Sequence, residues 1–371
     1  MMETFSGKLV IQQRVLPAYR APFFDALAKR CEGGLVVYAG RPRSDESIDL
    51  ARELHHTRWQ VANNIHISKV GHPAYFLLQP GFTAWIMKEN PDGLIVEANP
   101  RYLCTPKAVR WMHAVSRPVL GWGLAAPPAK GWIGKIILQG RNRFISRLDG
   151  LIAYSRQDAA EYASSGFPQN KIFVAPNSAA FRPTADAPIR PVLKDRQARV
   201  LFVGRLQERK RIDLLLQSCA ELPESIRPQL VVVGDGPVRS DLEALAGKIY
   251  PQTVFTGALS GKKLEEQFLL ADLFVLPGTG GLAVQQALAY ALPVIVGQAD
   301  GSQGQLVCER NGWLVQPDDK NCLRSTLTEA LSDMVRLRNM GEESFRIARD
   351  EVNIEIMVDA FIHALNSLRG P

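Results

Sequence analysis

Short apolar runs alternate with helix-period stretches through the second half of the chain. Val200–Val203 ends at Gly204 and precedes a helical pattern over Ile212–Ala220. Leu230–Val233 ends at Gly234 and precedes Val238–Ala246, and Val254–Thr256 ends at Gly257 and precedes Lys262–Leu270. Leu273–Leu276 ends at Pro277 and precedes Leu282–Ala291, and Pro293–Val296 closes the series. Unbroken Val/Ile/Leu runs are strands buried on both faces. Their alternation with helices predicts a parallel sheet covered on each side.

The first half repeats the rhythm less cleanly. Leu9–Gln12, Leu35–Tyr38, Leu94–Val96, Val119–Gly121, Leu151–Ala153 and Ile172–Val174 read as strands, and Ala21–Arg30, Tyr102–His113 and Arg156–Ser165 as helices. Between the halves, Arg182–Pro191 holds three prolines, the mark of a stiff, extended connector. The reading is therefore α/β, with two doubly wound Rossmann-like domains facing across a cleft. Its boundaries are 1–183, a Pro-rich linker 184–197, a second domain 198–352 and a terminal helix 353–371.

At 371 residues, such a chain builds its cores without disulfide or metal staples. Its five cysteines are odd in number and none forms C-x-x-C, which points to a reducing, cytoplasmic setting and no metal site. The uncharged windows 70–87 and 273–299 are broken by Gly and Pro and do not read as membrane spans. Charge is uneven: residues 1–185 hold 23 Lys/Arg and 13 Asp/Glu, residues 186–371 hold 21 and 24. The basic first half suits either a solvated surface or an anionic partner.

Several chemistries are excluded by spacing. No G-x-x-x-x-G-K-[ST], H-E-x-x-H or G-x-S-x-G occurs. Gly234-Asp-Gly-Pro-Val-Arg239 begins a dinucleotide fingerprint, but Arg239 replaces its third glycine. No stretch interleaves aromatic and basic residues as single-strand nucleic-acid binders do.

In doubly wound sheets, ligands bind outside the carboxyl ends of the strands. Three strand-end segments then stand out. Gly204-Arg-Leu-Gln-Glu-Arg-Lys210 puts Arg205 and Lys210 at the mouth of a site, where a guanidinium fork and an ammonium suit phosphate; both are expected in solvent. Gly234-Asp-Gly236 is a tight turn entering a helix. Pro277-Gly-Thr279-Gly280-Gly281-Leu282 opens a helix whose N-terminal amides favour an anion.

Together with the phrases Ala287-Leu-Ala-Tyr-Ala-Leu-Pro-Val-Ile295 and Asn311-Gly-Trp-Leu-Val-Gln-Pro317, these segments resemble the family-4 retaining glycosyltransferases of GT-B fold, most clearly over 198–335. The resemblance implies a nucleotide-diphosphate-sugar co-substrate of UDP or GDP type, with no other cofactor. It implies transfer of the sugar to an acceptor hydroxyl with retained configuration, without metal, in glycolipid, polysaccharide or other glycoconjugate synthesis. Arg205 and Lys210 would neutralise the diphosphate, the backbone of Gly280–Leu282 would touch phosphate and sugar, and Leu259 would lie beside the base. The family usually carries two glutamates eight positions apart around this loop; here those positions align with Gly278 and Gln286. Gln286 retains hydrogen-bonding capacity for a ribose. A non-catalytic nucleotide-sugar or partner-binding protein, and a nucleotide-sugar epimerase, are the alternatives.

The resemblance gives the first domain to the acceptor, which would be a carbohydrate, a lipid-linked intermediate or a small molecule. Candidates there are Tyr19 and Arg20 after the first strand, and Glu97, Asn99 and Arg101 after the strand ending at Val96. Glu97 is the best-placed carboxylate for orienting a hydroxyl. Trp122 stands where the family often has a catalytic-loop histidine, and an indole accepts no proton. Residues 130–147 carry five cations and no acid. Trp132, Ile133, Ile136, Ile137 and Phe144 would share one face, so Trp132–Arg147 is a candidate for peripheral contact with the inner face of a membrane.

Overall fold

The computed structural model describes residues 2–43, 46, 48–68, 75–125, 131–190, 197–298 and 306–368. They form two compact units, Met1–Ala179 with Ile354–Pro371, and Ala180–Asn353.

The first unit is built on strands β1 (Leu9–Val15), β2 (Leu35–Gly40), β3 (Thr57–Val61), β6 (Gly93–Glu97), β7 (Val119–Gly123), β8 (Gly150–Ala153) and β9 (Ile172–Val174). They form one sheet in the order β3-β2-β1-β6-β7-β8-β9, parallel throughout. A small antiparallel pair, β4 (Ile65–Ile67) and β5 (Phe76–Leu78), is inserted after β3. Successive residues of a strand face opposite sides, so two cores flank the sheet. Leu9, Ile11, Leu35 and Val37 join one core, closed by the helices Ala21–Ala28 and Ile354–Ser367. Val10, Val36 and Tyr38 join the other, against the helices Phe82–Glu89 and Thr105–Ala114.

The second unit has strands β10 (Arg199–Val203), β11 (Gln229–Val233), β12 (Val254–Gly257), β13 (Leu273–Leu276), β14 (Val294–Gly297) and β15 (Gly312–Val315). Their order is β12-β11-β10-β13-β14-β15, again all parallel. The chain does not close this sheet at Val296: Gly312–Val315 pairs beside β14 and adds an edge strand. Trp313 and Leu314 remain partly exposed there, so the run lacks the apolar continuity of a central strand. In both sheets the order reverses beside the first strand, between β1 and β6 and between β10 and β13. Ligands bind at such switch points.

The proline-rich connector is described only up to residue 190; 191–196 lie outside the described residues. Arg190 anchors the connector to the second unit. Its guanidinium donates to the carbonyls of Phe268 (2.8 Å), Ala271 (2.9 Å) and Tyr290 (2.6 Å), tying the carboxyl ends of two helices together.

Candidate active site

At the switch point of the second unit, the loops after β10 and β13 are joined by backbone and side chain. Thr279 donates its N–H to the Arg209 carbonyl at 3.1 Å. Arg209 donates from Nη1 to Thr279 Oγ1 at 2.7 Å, and Lys210 from Nζ to the Thr279 carbonyl at 2.5 Å. Lys210 is buried, 9% exposed, and hydrogen-bonds no carboxylate among the described residues. Burial, reinforced by the Arg209 charge, lowers its pKa to about 8. Both cations were expected in solvent. Arg205 is, and it makes no hydrogen bond or ion pair among the described residues; Lys210 is not.

The glycines of this loop have steric reasons. A Cβ on Gly278 would stand 2.1 Å from the Arg209 carbonyl oxygen and 2.6 Å from Lys210 Cα, so no side chain fits. The glutamate that the resemblance places there is therefore not merely substituted; the loop packs too closely for one. At Gly280, φ is +139° and a Cβ would meet Lys210 Nζ at 2.4 Å. Gly281 precedes the helix Leu282–Ala289, which has no side-chain cap and no acid in its first turn. The positive end of that helix is thus not neutralised by its own residues. Leu282 is exposed, and Gln286 is partly exposed one turn further on.

The other donor-side candidates line the same edge. Gly204 donates its N–H to Val233 (3.0 Å) and Gly234 to Gly257 (2.8 Å), carrying the sheet register into the loops. Gly234 and Gly236 pack against the carbonyls of Gly204 and Leu206, which a Cβ would meet at 1.9 and 2.2 Å. Leu259 is partly buried against the core. Thr279 ties the two loops together.

In the first unit, Glu97 ends β6 and is partly exposed. Its Oε1 accepts the Arg14 N–H at 3.2 Å, and its carboxylate also accepts the Tyr102 hydroxyl. Desolvation raises its pKa, and those hydrogen bonds with the charges of Arg14 and Arg20 only partly offset the rise. Arg14 is paired elsewhere, its Nη1 lying 2.7 Å from Glu46 Oε1. Asn99 is occupied within its own turn, accepting the Arg101 N–H at 3.1 Å, and Arg101 is partly exposed beside it. Tyr19 is 42% exposed.

Arg20 and Trp122 differ from what their sequence positions suggest. Trp122 is 1% exposed, packed edge-on against Phe24, Tyr154 and Phe361. Its ring is not open to an acceptor; it is a platform for Arg20, whose guanidinium carbon lies 4.9 Å from its ring centre. Arg20 is itself 5% exposed and donates to Asn177 Oδ1. Arg14, Tyr102 and Asn177 carried no signal: each is an ordinary polar residue in a strand, turn or loop until the fold gathers them.

The amphipathic segment forms the helix Gly131–Ile145, with Lys130 and the Ile133 side chain outside the described residues. The single apolar face expected there is divided. Phe144 is buried, whereas Trp132 (72%), Ile136 and Ile137 are exposed. Arg141 is a fastener, donating to Leu124 O at 2.5 Å and Tyr162 OH at 3.2 Å.

Residues 186–346 match the family model Glycosyl transferases group 1. Among curated proteins, the sulfoquinovosyl transferase SQD2 of Arabidopsis thaliana is 32% identical over 158 residues, 41% of this chain and 29% of that protein. A GDP-mannose-dependent alpha-mannosyltransferase of Mycobacterium tuberculosis is 40% identical over 117 residues, 31% of this chain and 29% of that protein. The chain thus spans under a third of either relative's length. Among solved structures, Anabaena HepE in complex with UDP superposes with a TM-score of 0.71 at 16% identity, covering 97% of this chain and 99% of that one. The fold is GT-B, with two Rossmann-like units. No helix among the described residues is long and apolar enough to cross a membrane.

Proposed function

We propose that the protein is a retaining glycosyltransferase that moves a sugar from a nucleoside-diphosphate donor to an acceptor hydroxyl. The observation that carries this reading is the switch point of the second unit. A buried ammonium on Lys210, an exposed guanidinium on Arg205 and the unneutralised start of the helix Leu282–Ala289 meet on one sheet edge. As the bond from sugar to diphosphate breaks, negative charge gathers on the leaving phosphate. Fixed cations and amides aimed at that charge stabilise the transition state without reorganising. The leaving phosphate oxygen can take the acceptor proton, so no separate base or metal ion is needed. Gln286 would hold the ribose through its amide, and Leu259 would lie beside a uracil or guanine base.

On this reading the first unit takes the acceptor, with Glu97 orienting its hydroxyl. Trp132, Ile136 and Ile137, set among cations on a segment without acids, would rest on the inner face of an anionic membrane. That suits a lipid-linked acceptor in glycolipid or polysaccharide synthesis.

A second reading is favoured by one observation: neither Gly278 nor Gln286 supplies a carboxylate. It is a nucleotide-sugar-binding protein without transfer activity. Incubating purified protein with UDP- and GDP-sugars, with and without an acceptor extract, separates the readings. Acceptor-dependent release of nucleoside diphosphate supports transfer, binding without turnover supports the second reading, and an isomerised donor without acceptor indicates an epimerase.

A further inference from the structure

The first unit contains a buried cation without a counter-ion. Arg20 keeps 5% of its surface exposed, yet its hydrogen-bond partners are Asn177 Oδ1 and the Met357 sulfur at 3.8 Å; no carboxylate among the described residues pairs with it. The acid whose charge reaches it, Glu97, is committed to Tyr102 and the Arg14 amide. Glu97 feels the Arg20 charge without hydrogen-bonding to it. The helix Ala21–Ala28 starts at Arg20 with no acid in its first turn, so its positive end adds to the same field.

A buried, unpaired charge is costly, and folds normally pair it or replace it. Here the surroundings retain it. The Trp122 ring lies 4.9 Å away and the Tyr154 ring 5.9 Å away. Stacking of this kind uses the face of a guanidinium and leaves its N–H edge for an oxyanion. A second donor lies in the same cluster: buried Trp122 Nε1 has no hydrogen-bond partner among the described residues. A buried guanidinium without a counter-ion, beside an unpartnered buried N–H, at the carboxyl edge of a doubly wound sheet describes a site prepared for an anion.

We infer that Arg20, backed by Trp122 and Asn177, binds a phosphate-type oxyanion, brought by an acceptor that is a phosphate ester. The inference rests on the first unit being the acceptor side. Arg favours phosphate through parallel N–H···O bonds, which an uncharged sugar hydroxyl cannot match.

The test uses the full chain in an Arg205→Ala/Lys210→Ala background, which silences phosphate binding in the second unit. Thermal shift and phosphorus NMR titrations compare inorganic phosphate, methyl phosphate and farnesyl phosphate, with methyl glucoside as the uncharged control. The phosphate esters are expected to bind, and methyl glucoside not. Adding Arg20→Gln or Arg20→Met should weaken ester binding at least tenfold, while the unliganded melting temperature stays level or rises, because an unpaired charge has been removed. Arg20→Lys keeps the charge and loses the fork, so it should fold and bind several-fold more weakly than the parent. Farnesyl phosphate binding more tightly than methyl phosphate would identify a lipid ester, and equal binding a soluble one. Ester binding indifferent to Arg20, binding of inorganic phosphate alone, or a sharp fall in melting temperature with Arg20→Met would overturn the inference. Titration of UDP and GDP into the wild-type protein tests the second unit separately, so the two can fail independently.

Discussion

Lys210 donates from Nζ to the backbone carbonyl of Thr279 at 2.5 Å, across the two loops that flank the switch point of the second unit. The ammonium is therefore held before any phosphate arrives, and it is buried without a carboxylate. Replacing Lys210 with Met should leave the melting temperature level or higher, because a desolvated charge is removed while the stem is kept. Transfer should fall by about 10²–10³, the usual cost of losing one oxyanion donor. Arg205→Ala should leave melting unchanged, as the side chain is exposed and unattached, and lower transfer at least tenfold. Full activity in both variants would remove these residues from the site.

The lowered pKa of Lys210 makes donor affinity depend on pH. The free site holds its proton up to about pH 8, against 10.5 for an ordinary lysine. A bound diphosphate favours the charged form, so binding takes up a proton above pH 8 and weakens about tenfold per unit there. Nucleotide titrations should be flat between about pH 7 and 7.5, above the ligand's own phosphate titration near pH 6, and fall from pH 8 upward, and Lys210→Met should flatten that fall. The sign for folding is the reverse. The unfolded chain keeps its proton up to 10.5, so stability relative to Lys210→Met rises between about pH 8 and 10.5.

Gly278 is fixed by contact rather than by chemistry. Even Ala there would press on the Arg209 carbonyl, so Gly278→Ala should cost about 1–3 kcal/mol, as overpacking does, and loosen donor binding with it. Gly278→Glu should not restore a sugar-binding carboxylate; it should force the loops apart and lower activity further. Thermal melts alongside nucleotide titrations would show both effects. A Gly278→Glu protein that folds normally and gains preference for neutral hexose donors would refute this packing argument.

The exposed end of the helix Gly131–Ile145 gives a membrane prediction in which Arg141 must be left intact, because it fastens the helix to Leu124 and Tyr162. Sedimentation with vesicles rich in anionic lipid should recover wild-type protein and far less of a Lys135→Gln/Arg143→Gln/Arg147→Gln variant. Trp132→Ser should weaken binding at every salt concentration, and the charge variant mainly at low salt. Equal recovery of all three proteins would argue against docking through this helix.

The second unit was legible because its central strands are unbroken apolar runs that end at Gly or Pro. The first was less so for a physical reason. Thr57-Arg-Trp-Gln-Val61 is an edge strand with polar residues, and the β4–β5 strands, largely apolar but only three residues each, are too short to show a period. Strand-end position points to Arg205, Lys210 and the glycine loop, and the pairing of β10 with β13 brings those loops to one edge. It could not find the burial of Lys210, because a lysine in Glu-Arg-Lys-Arg reads as solvated. It could not find the contact that forbids a side chain at Gly278, because nothing in spacing reveals which backbone lies above. Arg20 and Trp122 lie on separate segments of the sequence; their stacking, and the missing counter-ion, exist only in three dimensions.

The central claim, a nucleoside diphosphate held by Arg205, Lys210 and the start of the helix Leu282–Ala289, is tested most directly by calorimetric titration of UDP and GDP into the wild-type and Arg205→Ala/Lys210→Ala proteins at pH 7. The account predicts one-to-one binding of at least one nucleotide to the wild type, weakened a hundredfold or more in the double variant with its fold intact. No binding of either nucleotide, or equal affinity in the two proteins, would contradict it.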